Sequence, residues 1–502
     1  MAAVYDKESF VKNLNGTSVF EINAIVSTAP ICCLLHFLFC LLFPIWYNNL
    51  SWMNSFIVDN AWLILPNLMT LTALADHVFI FNAALLLLCA VLVFSVKSGQ
   101  GTSCPSHQST AKIILVKKQF VSNFRSFMLV ATVLSILAVD FKIFPRRYAK
   151  TELYGTGFMD IGVGSFIFSH AIVSQFAKGT VTSKNEHCTK DLFKNALGCL
   201  PLFFLGALRL IMVKSSGYHQ HVTEYGLHWN FFFTIAVVKL LAGTFLHSLT
   251  PKALKFTWLF GIIVCLFHQV MLSQFGLKKL VESGMNNDGK RNNLVDANRE
   301  GIASCPGYIG LFLLSCQLGK EIFQQRSKFR LLMHLVSANI LLWLVTAFCI
   351  NFVDPVSRKL ANLTYVTWII SVNVFLLICF LGVELIQDYV ISKIGTKTKP
   401  RVAHVYGLSP RRPLHEQESQ SASPQKVPDI GNLRDPVLVK AINSNQLFYF
   451  VVGNLLTGIV NMSMRTIHAD NVTGMVVLIL YATVTNGLAI LLYAKNIQTK
   501  FW

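Results

Sequence analysis

Long apolar runs alternate with short polar stretches along most of the chain. A helix that crosses a bilayer needs about 20 predominantly apolar residues. Only Asp76 and His77 separate the second run from the third, which predicts a tight helical hairpin, and the fourth and ninth runs are short. The predicted helices lie at approximately 24–46, 56–75, 78–96, 127–139, 158–176, 196–213, 229–249, 256–275, 305–319, 331–352, 364–386, 446–464 and 473–494. The pattern predicts an all-α polytopic membrane protein of about thirteen transmembrane helices with short loops.

One stretch departs from this pattern. Residues 395–436 are rich in proline, serine, glutamine and charge, and they show no apolar period. A segment of this composition cannot bury enough apolar surface to fold by itself. We therefore predict that 1–502 forms a single multi-pass membrane domain with a flexible cytosolic loop at 395–436.

Composition supports the membrane assignment and narrows the chemistry. Apolar residues make up 53% of the chain and charged residues 13%, whereas soluble domains carry about 25% charged residues. The net charge of +19 comes from short basic groups between the apolar runs, so we expect membrane lipids and no nucleic acid as partners. Most of the 12 cysteines lie inside apolar runs without the spacing of metal ligands, so we expect no metal and no bound cofactor.

The distribution of lysine and arginine among the loops predicts the orientation. If the N-terminus is outside, the inner segments hold 26 basic residues and the outer segments hold 15. Because cytosolic loops carry the basic excess, the N-terminus is predicted to be lumenal and the C-terminus cytosolic. The outer loops 140–157 and 276–304 nevertheless hold nine of the fifteen outer basic residues. Basic residues placed against the general bias indicate an anionic partner on the lumenal side.

The densest candidate segment runs from Asp140 to Asp160. Pro145 prevents a continuous helix, and Gly155 and Gly157 permit tight turns, so we expect a structured loop at the membrane surface. Desolvation at the edge of the hydrocarbon favours Asp140 as a general base, although nearby lysine and arginine residues shift its pKa in the opposite direction. Interfacial anchoring is the alternative role. The presence of both charge signs on the outer side favours a functional one.

A second segment, residues 217–234, places three histidines, a glutamate and stacking aromatic residues at one helix mouth. A metal site is disfavoured because His221 and His228 are seven residues apart and lack the spacing that places two ligands on one helix face. An aromatic belt at the membrane interface explains the tyrosine and tryptophan residues, but it does not explain Glu224 among three histidines. Both interpretations stay open.

Two shorter polar segments, 294–302 and 356–364, also fall on the predicted lumenal side. A capped helix start would explain either one alone, whereas simple anchors would divide between the two faces of the membrane. Their polar residues are Asp296, Asn298, Arg299 and Glu300 in the first, and Arg358, Lys359 and Asn362 in the second.

Other signals are weaker. Arg209 and Lys239 lie within predicted spans, where a charge is costly, yet each is near enough to an end to reach the interface. Short N-glycosylation sequons, which often occur by chance, begin at Asn15, Asn49, Asn362, Asn461 and Asn471.

Five stretches of the chain resemble the glucosaminyl-phosphatidylinositol inositol acyltransferases, which are endoplasmic reticulum membrane enzymes of glycosylphosphatidylinositol (GPI) anchor biosynthesis. The resemblance covers nearly the whole chain and is carried by residues 13–17, 138–164, 223–234, 297–301 and 356–362. The departures from the family pattern are slight: Lys142 where proline is usual, Asp296 where asparagine is common, and Lys359 where arginine is common. They put in doubt the roles of those three side chains alone.

The resemblance implies transfer of a fatty acyl group, usually palmitoyl from palmitoyl-CoA, to the inositol 2-hydroxyl of glucosaminyl-phosphatidylinositol. Acyl-CoA is then a co-substrate. The family's essential aspartate and lysine correspond to Asp140 and Lys150, which we expect to be the catalytic pair. The chain shows no convincing cysteine or serine nucleophile motif, which favours direct transfer over an acyl-enzyme.

The other predicted site residues suit this glycolipid. Its phosphodiester would be bound by Arg146, Arg147 or Arg299, its amine by Glu152 or Glu224, and its sugar faces by Tyr225 or Trp229. The predicted substrate-binding set is completed by Tyr154, His221, His228, Asn298, Glu300 and Arg358, and the two histidines are reserve bases.

Two other classes remain as alternatives. A lipid transporter or flippase would carry polar groups near mid-membrane and interrupted helices in paired halves, whereas this chain concentrates its polarity at one mouth. A non-catalytic membrane subunit of the GPI pathway is the third class. Acyl transfer by the purified protein that is lost on mutation of Asp140 would distinguish an enzyme from both.

The basic-residue distribution makes a direct prediction about sidedness. In sealed microsomes, a protease site or tag in 140–157 should be protected, and one in 395–436 should be accessible from outside. Cleavage of the 140–157 loop from outside intact vesicles would reverse the orientation.

Overall fold

The computed structural model describes residues 14–43, 50–95, 118–180, 188–216, 222–285, 290–291, 293–395 and 436–499. Most of the predicted flexible loop, 396–435, lies outside these residues, as does His221. The α-helices are α1 Val19–Leu42, α2 Trp52–Asp59, α3 Leu65–Leu71, α4 Val78–Ser95, α5 Gln119–Ala138, α6 Ile161–Ile172, α7 Cys188–Leu197, α8 Leu200–Ser216, α9 Val222–Tyr225, α10 Phe231–Ser248, α11 Thr257–Ser273, α12 Leu277–Ser283, α13 Leu294–Ala297, α14 Arg299–Phe323, α15 Lys328–Phe352, α16 Leu363–Gly395, α17 Val437–Ser444, α18 Gln446–Ser463 and α19 Asn471–Ala494.

The all-α polytopic prediction is confirmed. Among the described residues, eleven helices are long and apolar enough to cross a membrane. The predicted count of thirteen is not confirmed, because the second and fifth runs differ from the others. The fifth forms a short apolar helix, Phe158–Ile172. The second is divided into α2, a π-helical turn at Asn60–Ile64, and α3.

The interruption of the second run has a local cause. The Asn60 side chain donates a hydrogen bond to the Phe56 carbonyl at 2.8 Å, and Pro66 at the start of α3 cannot donate one from its backbone. A side chain and a proline that disturb the backbone ladder are typical causes of such a break. The 3₁₀ turn Ala75–His77 then joins α3 to α4, so the predicted break between the second and third runs is confirmed.

The helices predicted from the fourth and ninth runs, 127–139 and 305–319, were too short. They form α5, with 20 residues, and α14, with 25. The apolar patterns stop at polar residues, but the helices continue because these side chains find partners. Arg125 donates to Ser169 at 3.2 Å and to Gln446 at 2.6 Å, and Lys320 donates to Thr257 at 2.7 Å.

The helices α1, α5, α14 and α16 form the interior, and α4, α8, α15 and α18 are mostly peripheral. N-terminal caps fix the starts of α1, α10 and α19. Ser18 accepts from the Glu21 amide, Asn230 from the Phe232 and Phe233 amides, and Asp470 from the Val472 and Thr473 amides.

The outer surface carries many large apolar side chains, including Ile80, Leu87, Phe348 and Leu480. A water-soluble protein rarely exposes so much contiguous apolar surface. Helices satisfy their backbone hydrogen bonds internally, so lipid can cover this surface.

The segments that the charge distribution assigns to the lumenal side gather at one end of the bundle. Contacts join 14–18 to 155–156, 147 to 76, 150 to 224, 155 to 356, 227 to 297 and 140 to 461. Their common side therefore has direct structural support, while the assignment of that side to the lumen stays a prediction.

Candidate active site

The 140–157 loop is held against two other segments by backbone contacts. The Thr17 amide donates to the Thr156 carbonyl at 2.7 Å, and the Gly155 amide donates to the Val356 carbonyl at 2.9 Å. Gly155 has φ +127°, and a Cβ there would lie 2.3 Å from the Asn15 carbonyl oxygen. A side chain at this position would separate the loop from the N-terminal segment.

The 222–230 segment docks on the start of α14 in the same way. The Leu227 amide donates to the Ala297 carbonyl and the His228 amide to the Asn298 side chain, both at 2.8 Å. Trp229 lies over Gly301, where a Cβ would be 2.4 Å from the indole ring. The four segments singled out in the sequence therefore form one assembly.

A buried ion pair between Asp160 and Arg358 lies at the centre of this assembly. The Arg358 Nε donates to the Asp160 Oδ1 at 2.8 Å, with side chains 5% and 0% exposed. The same carboxylate accepts from the Thr151 hydroxyl at 2.9 Å and from the Gly157 amide at 2.9 Å. The Tyr365 hydroxyl donates to the Asp160 carbonyl at 2.9 Å. Asp160 thus fixes the end of the loop to α16 and to the turn before it.

Lys150 and Glu224 form the accessible part of the same cluster. Their Nζ and Oε1 atoms are 2.6 Å apart, and the side chains are 38% and 20% exposed. The Arg358 Nη1 lies 3.6 Å from the same Glu224 oxygen. Burial alone would raise the pKa of Glu224, but the charges of Lys150 and then Arg358 hold it at about 2. Glu224 is therefore a carboxylate throughout the physiological range.

Asp140 lies at the other end of the loop and contacts the C-terminal helices. Its Oδ2 accepts from the Asn461 amide at 2.7 Å, and the Thr466 hydroxyl donates to the other side of that amide group at 3.1 Å. Arg146 interacts with Asp140 electrostatically, and burial lowers the pKa of Arg146 to about 10 against this attraction. The structure therefore gives Asp140 and Lys150 different partners, and their catalytic roles remain predictions.

The predicted phosphate-binding arginines bond to protein groups. Arg146 donates to the Val139 carbonyl at 2.8 Å, and Arg147 bonds to Glu21 at 3.0 Å and Asp76 at 2.6 Å. Arg299, 5% exposed, donates to the Val281 carbonyl at 3.1 Å. Arg147 is partly exposed, with 35% of its side chain accessible.

The 290–301 region is braced by a second set of charges. Arg291 donates to the two Glu300 oxygens at 2.6 and 3.0 Å, and Arg299 lies 3.8 Å from the same carboxylate. Asn298 donates to the Leu294 carbonyl at 2.8 Å in addition to holding the His228 amide. Glu300 is buried, so these contacts shape the wall of the site.

The other predicted residues with described positions are Tyr225, Tyr154, Glu152 and His228. The Arg358 guanidinium lies 5.9 Å from the Tyr225 ring, and the Lys278 ammonium lies 5.0 Å from the Tyr154 ring. Glu152 is exposed. The His228 Nδ1 is buried without a hydrogen-bond partner in the described part of the chain.

The sequence interpretation missed two residues. Asp160 ends the densest candidate segment but was given no role, because its position after Gly157 at a helix start resembles an ordinary cap. Asn461 was noted as the start of a sequon, yet its amide holds Asp140. Nothing in the sequence distinguishes Asp160 from an ordinary helix cap, or Asn461 from a sequon that occurs by chance. Among the described residues, no group of three metal-ligating side chains occurs.

A helical bundle with an apolar outer surface and a mixed-charge cluster at one end defines a multi-pass integral membrane protein. The GWT1 family model matches residues 4–492, so the chain belongs to the GWT1 family.

Curated relatives match over almost the full length. The chain is 33% identical over 514 residues to the bovine glucosaminyl-phosphatidylinositol-acyltransferase PIGW from Bos taurus, with 99% of each chain covered. It is 33% identical over 516 residues to the same-named protein of Homo sapiens, again with 99% coverage of each. It is 29% identical over 535 residues to the GPI-anchored wall transfer protein 1 of Candida albicans, with 98% of each covered.

The central ion pair predicts a large effect on stability. Removing one partner of a buried charge pair typically costs about 3–5 kcal/mol, so Asp160→Asn should markedly lower the thermal unfolding temperature of the detergent-purified protein. Asp76→Asn is the control, because Asp76 is 77% exposed and exposed pairs contribute about 0–1 kcal/mol. Equal shifts for the two variants would contradict the central role of Asp160.

Proposed function

We propose that the protein transfers a fatty acyl group from acyl-CoA to the inositol 2-hydroxyl of glucosaminyl-phosphatidylinositol, in the endoplasmic reticulum membrane and on its lumenal side. The names of the PIGW relatives supply the acceptor and the acyl transfer. The observation that carries the proposal is the cluster of Lys150, Glu224 and Arg358 in the loop assembly that begins at Asp140. This assembly offers both charge signs at the membrane surface.

The acceptor carries groups that match these charges. Its phosphodiester is an anion, and Arg147 and Lys150 are cations with accessible side chains. Its glucosamine amine is a cation when protonated, and Glu224 stays ionised near it. Arg299 and Arg358 are nearly buried, so we assign them to holding the walls of the site.

The acyl transfer needs a base and a group that stabilises the oxyanion. Asp140 would take the proton of the inositol hydroxyl as its oxygen attacks the thioester carbonyl. The C–S bond then breaks, the acyl ester forms, and the leaving thiolate of coenzyme A takes up the proton.

Lys150 would supply the positive charge to the oxyanion. Its ammonium bonds to Glu224 in the described structure, so it must turn from that carboxylate to the reacting carbonyl. The Arg358 guanidinium remains beside Glu224 and would compensate its charge when Lys150 moves. The Lys150–Glu224 pair thus serves as a resting position for the lysine.

Intramembrane cations support acyl-CoA as the donor. Arg125 has the neutral partners Ser169 and Gln446, and it lies close enough to His170 for electrostatic interaction, as does Lys239. Arg125 is thirteen residues before Ala138 on α5, which places it roughly 20 Å from the site end. Cations at this depth suit the phosphates of a donor that reaches across the membrane from the opposite side.

One observation favours a transporter as the second candidate. The interrupted α2–α3 element brings Asn60 within 2.7 Å of Asn486, whose Oδ1 accepts from Tyr449 at 2.8 Å. Broken helices and mid-membrane polar groups occur in transporters. A transporter would move glycolipid between leaflets without forming an acyl ester, so product analysis distinguishes the two.

The catalytic pair predicts a loss of turnover without a loss of fold. Lys150→Met should lower kcat by about a hundredfold to a thousandfold, as the loss of one oxyanion-stabilising group does. Asp140→Asn should lower kcat by about a hundredfold to ten-thousandfold, as the loss of a general base does. Acyl transfer by purified protein and retained glycolipid binding are the measurements. Near-normal turnover by Asp140→Asn together with loss of turnover by His228→Ala would assign the base to the histidine.

Substitution of each arginine should raise the Michaelis constant for one of the two substrates and leave the other unchanged. Removing a charged hydrogen-bonding partner costs about 1.5–3 kcal/mol, a tenfold effect or more. Arg147→Gln should raise KM for the glycolipid, whereas Arg125→Gln should raise KM for acyl-CoA. Steady-state kinetics with each substrate varied in turn tests this, and the reverse pattern would exchange the two assignments.

A further inference from the structure

An apolar groove lies between α18 and α19. Leu456, Val460 and Ser463 of α18 line it together with Met464, which follows that helix, and Val477, Leu480, Tyr481 and Val484 line it from α19. Its volume is about 310 Å³, at the lower end of the range for small-molecule sites.

The floor of the groove is made apolar by the way Tyr481 is held. The Tyr481 hydroxyl points inward, 3.0 Å from the carbonyl oxygens of Val133 and Gly453, and accepts from Thr457 at 3.3 Å. The ring is left to face the groove. Leu480 and Val484 are exposed on its rim. Because both helices are membrane-spanning candidates, the medium beside this rim is lipid, and the occupant that fits is a hydrocarbon chain.

The groove ends at the candidate active site. Asn461, one residue from the groove-lining Val460, donates to Asp140. At the start of α19, a Cβ added to Gly474 would lie 3.2 Å from the Phe141 ring, so the loop that carries Asp140 covers the top of both helices. A lipid whose tail lies in the groove therefore has its headgroup beside Asp140.

The length of the groove matches one leaflet. Residues 456–464 of the α18 segment rise by roughly 12 Å, and half of a bilayer's hydrocarbon core is about 15 Å thick. The groove runs from the site end towards mid-membrane. It thus suits a tail of a lipid that resides in the same leaflet as the site.

The N-terminal end of α18 lies in another environment. Gln446 accepts from Arg125, and the Phe450 ring lies 5.1 Å from the Phe166 ring and 5.4 Å from the Phe231 ring. This is the region to which the proposed donor cations belong. Gln446 lies roughly 15 Å along the helix from Leu456, where the groove begins.

We propose that the groove binds one fatty acyl tail of the glycerolipid acceptor, so that the acceptor lies along the C-terminal half of α18, the acyl donor approaches from the region of its N-terminal end, and the two substrates meet at Asp140. The proposal rests on the proposed function and adds the position of the acceptor lipid to it. The tail moves from one apolar medium to another, so the groove contributes positioning and little hydrophobic affinity.

Two bulky substitutions and a matched control test the groove. Val460→Trp and Val484→Trp fill it from opposite walls, and Ile459→Trp adds the same bulk on the neighbouring lipid-exposed position, where the side chain is 60% exposed. The groove variants should lower kcat/KM for a long-chain glycolipid by roughly threefold to tenfold. They should leave KM for acyl-CoA unchanged. With a dibutanoyl acceptor, whose short tails do not fill the groove, the variants and the unsubstituted protein should have the same kcat/KM.

Photo-crosslinking gives a readout that does not require turnover, so it separates this proposal from the proposed function. A phosphatidylinositol with a diazirine in its acyl chain should label α18 and α19 at the groove residues, and Val460→Trp should abolish this labelling while Ile459→Trp retains it. Groove labelling by a diazirine-bearing acyl-CoA would assign the groove to the donor and overturn the proposal. Labelling spread evenly over the outer surface would also overturn it, because the lipid would then be ordinary bilayer lipid.

Discussion

The ion pair between Asp160 and Arg358 is the interaction on which the candidate site depends. Neither charge can be left alone at 0–5% exposure, because an unpaired buried charge costs several kcal/mol. The pair therefore forces the end of the 140–157 loop and the turn before α16 to stay together. Arg358 then reaches Glu224, and Glu224 reaches Lys150, so the position of the predicted catalytic lysine follows from a buried pair outside the predicted catalytic residues.

The helical architecture and the common side of the polar segments could be predicted because they depend on local composition. Apolar runs report membrane crossing directly, and each crossing reverses the side of the next loop. Helix lengths were less predictable. Arg125 and Lys320 end apolar patterns but lie inside helices, since their partners come from distant parts of the chain.

The hydrogen-bond partners of the site residues could not be predicted from the sequence. The 140–160 segment was recognised from its density of charge, and the predicted catalytic pair, Asp140 and Lys150, lies only ten residues apart within it. The structure instead bonds Lys150 to Glu224, 74 residues away, and Asp140 to Asn461, 321 residues away. Such distant partners depend on how the helices pack, which one-dimensional periodicity does not encode.

The sequon at Asn362 has a consequence for biogenesis. Asn362 is 0% exposed, donates to the Pro355 carbonyl at 2.8 Å, and accepts from the Ser357 and Tyr365 amides. An oligosaccharide on this nitrogen would remove its bond to Pro355 and could not fit inside the turn. A glycan at Asn362 is therefore incompatible with the described turn before α16, so the folded turn itself blocks the modification that this sequon would otherwise allow.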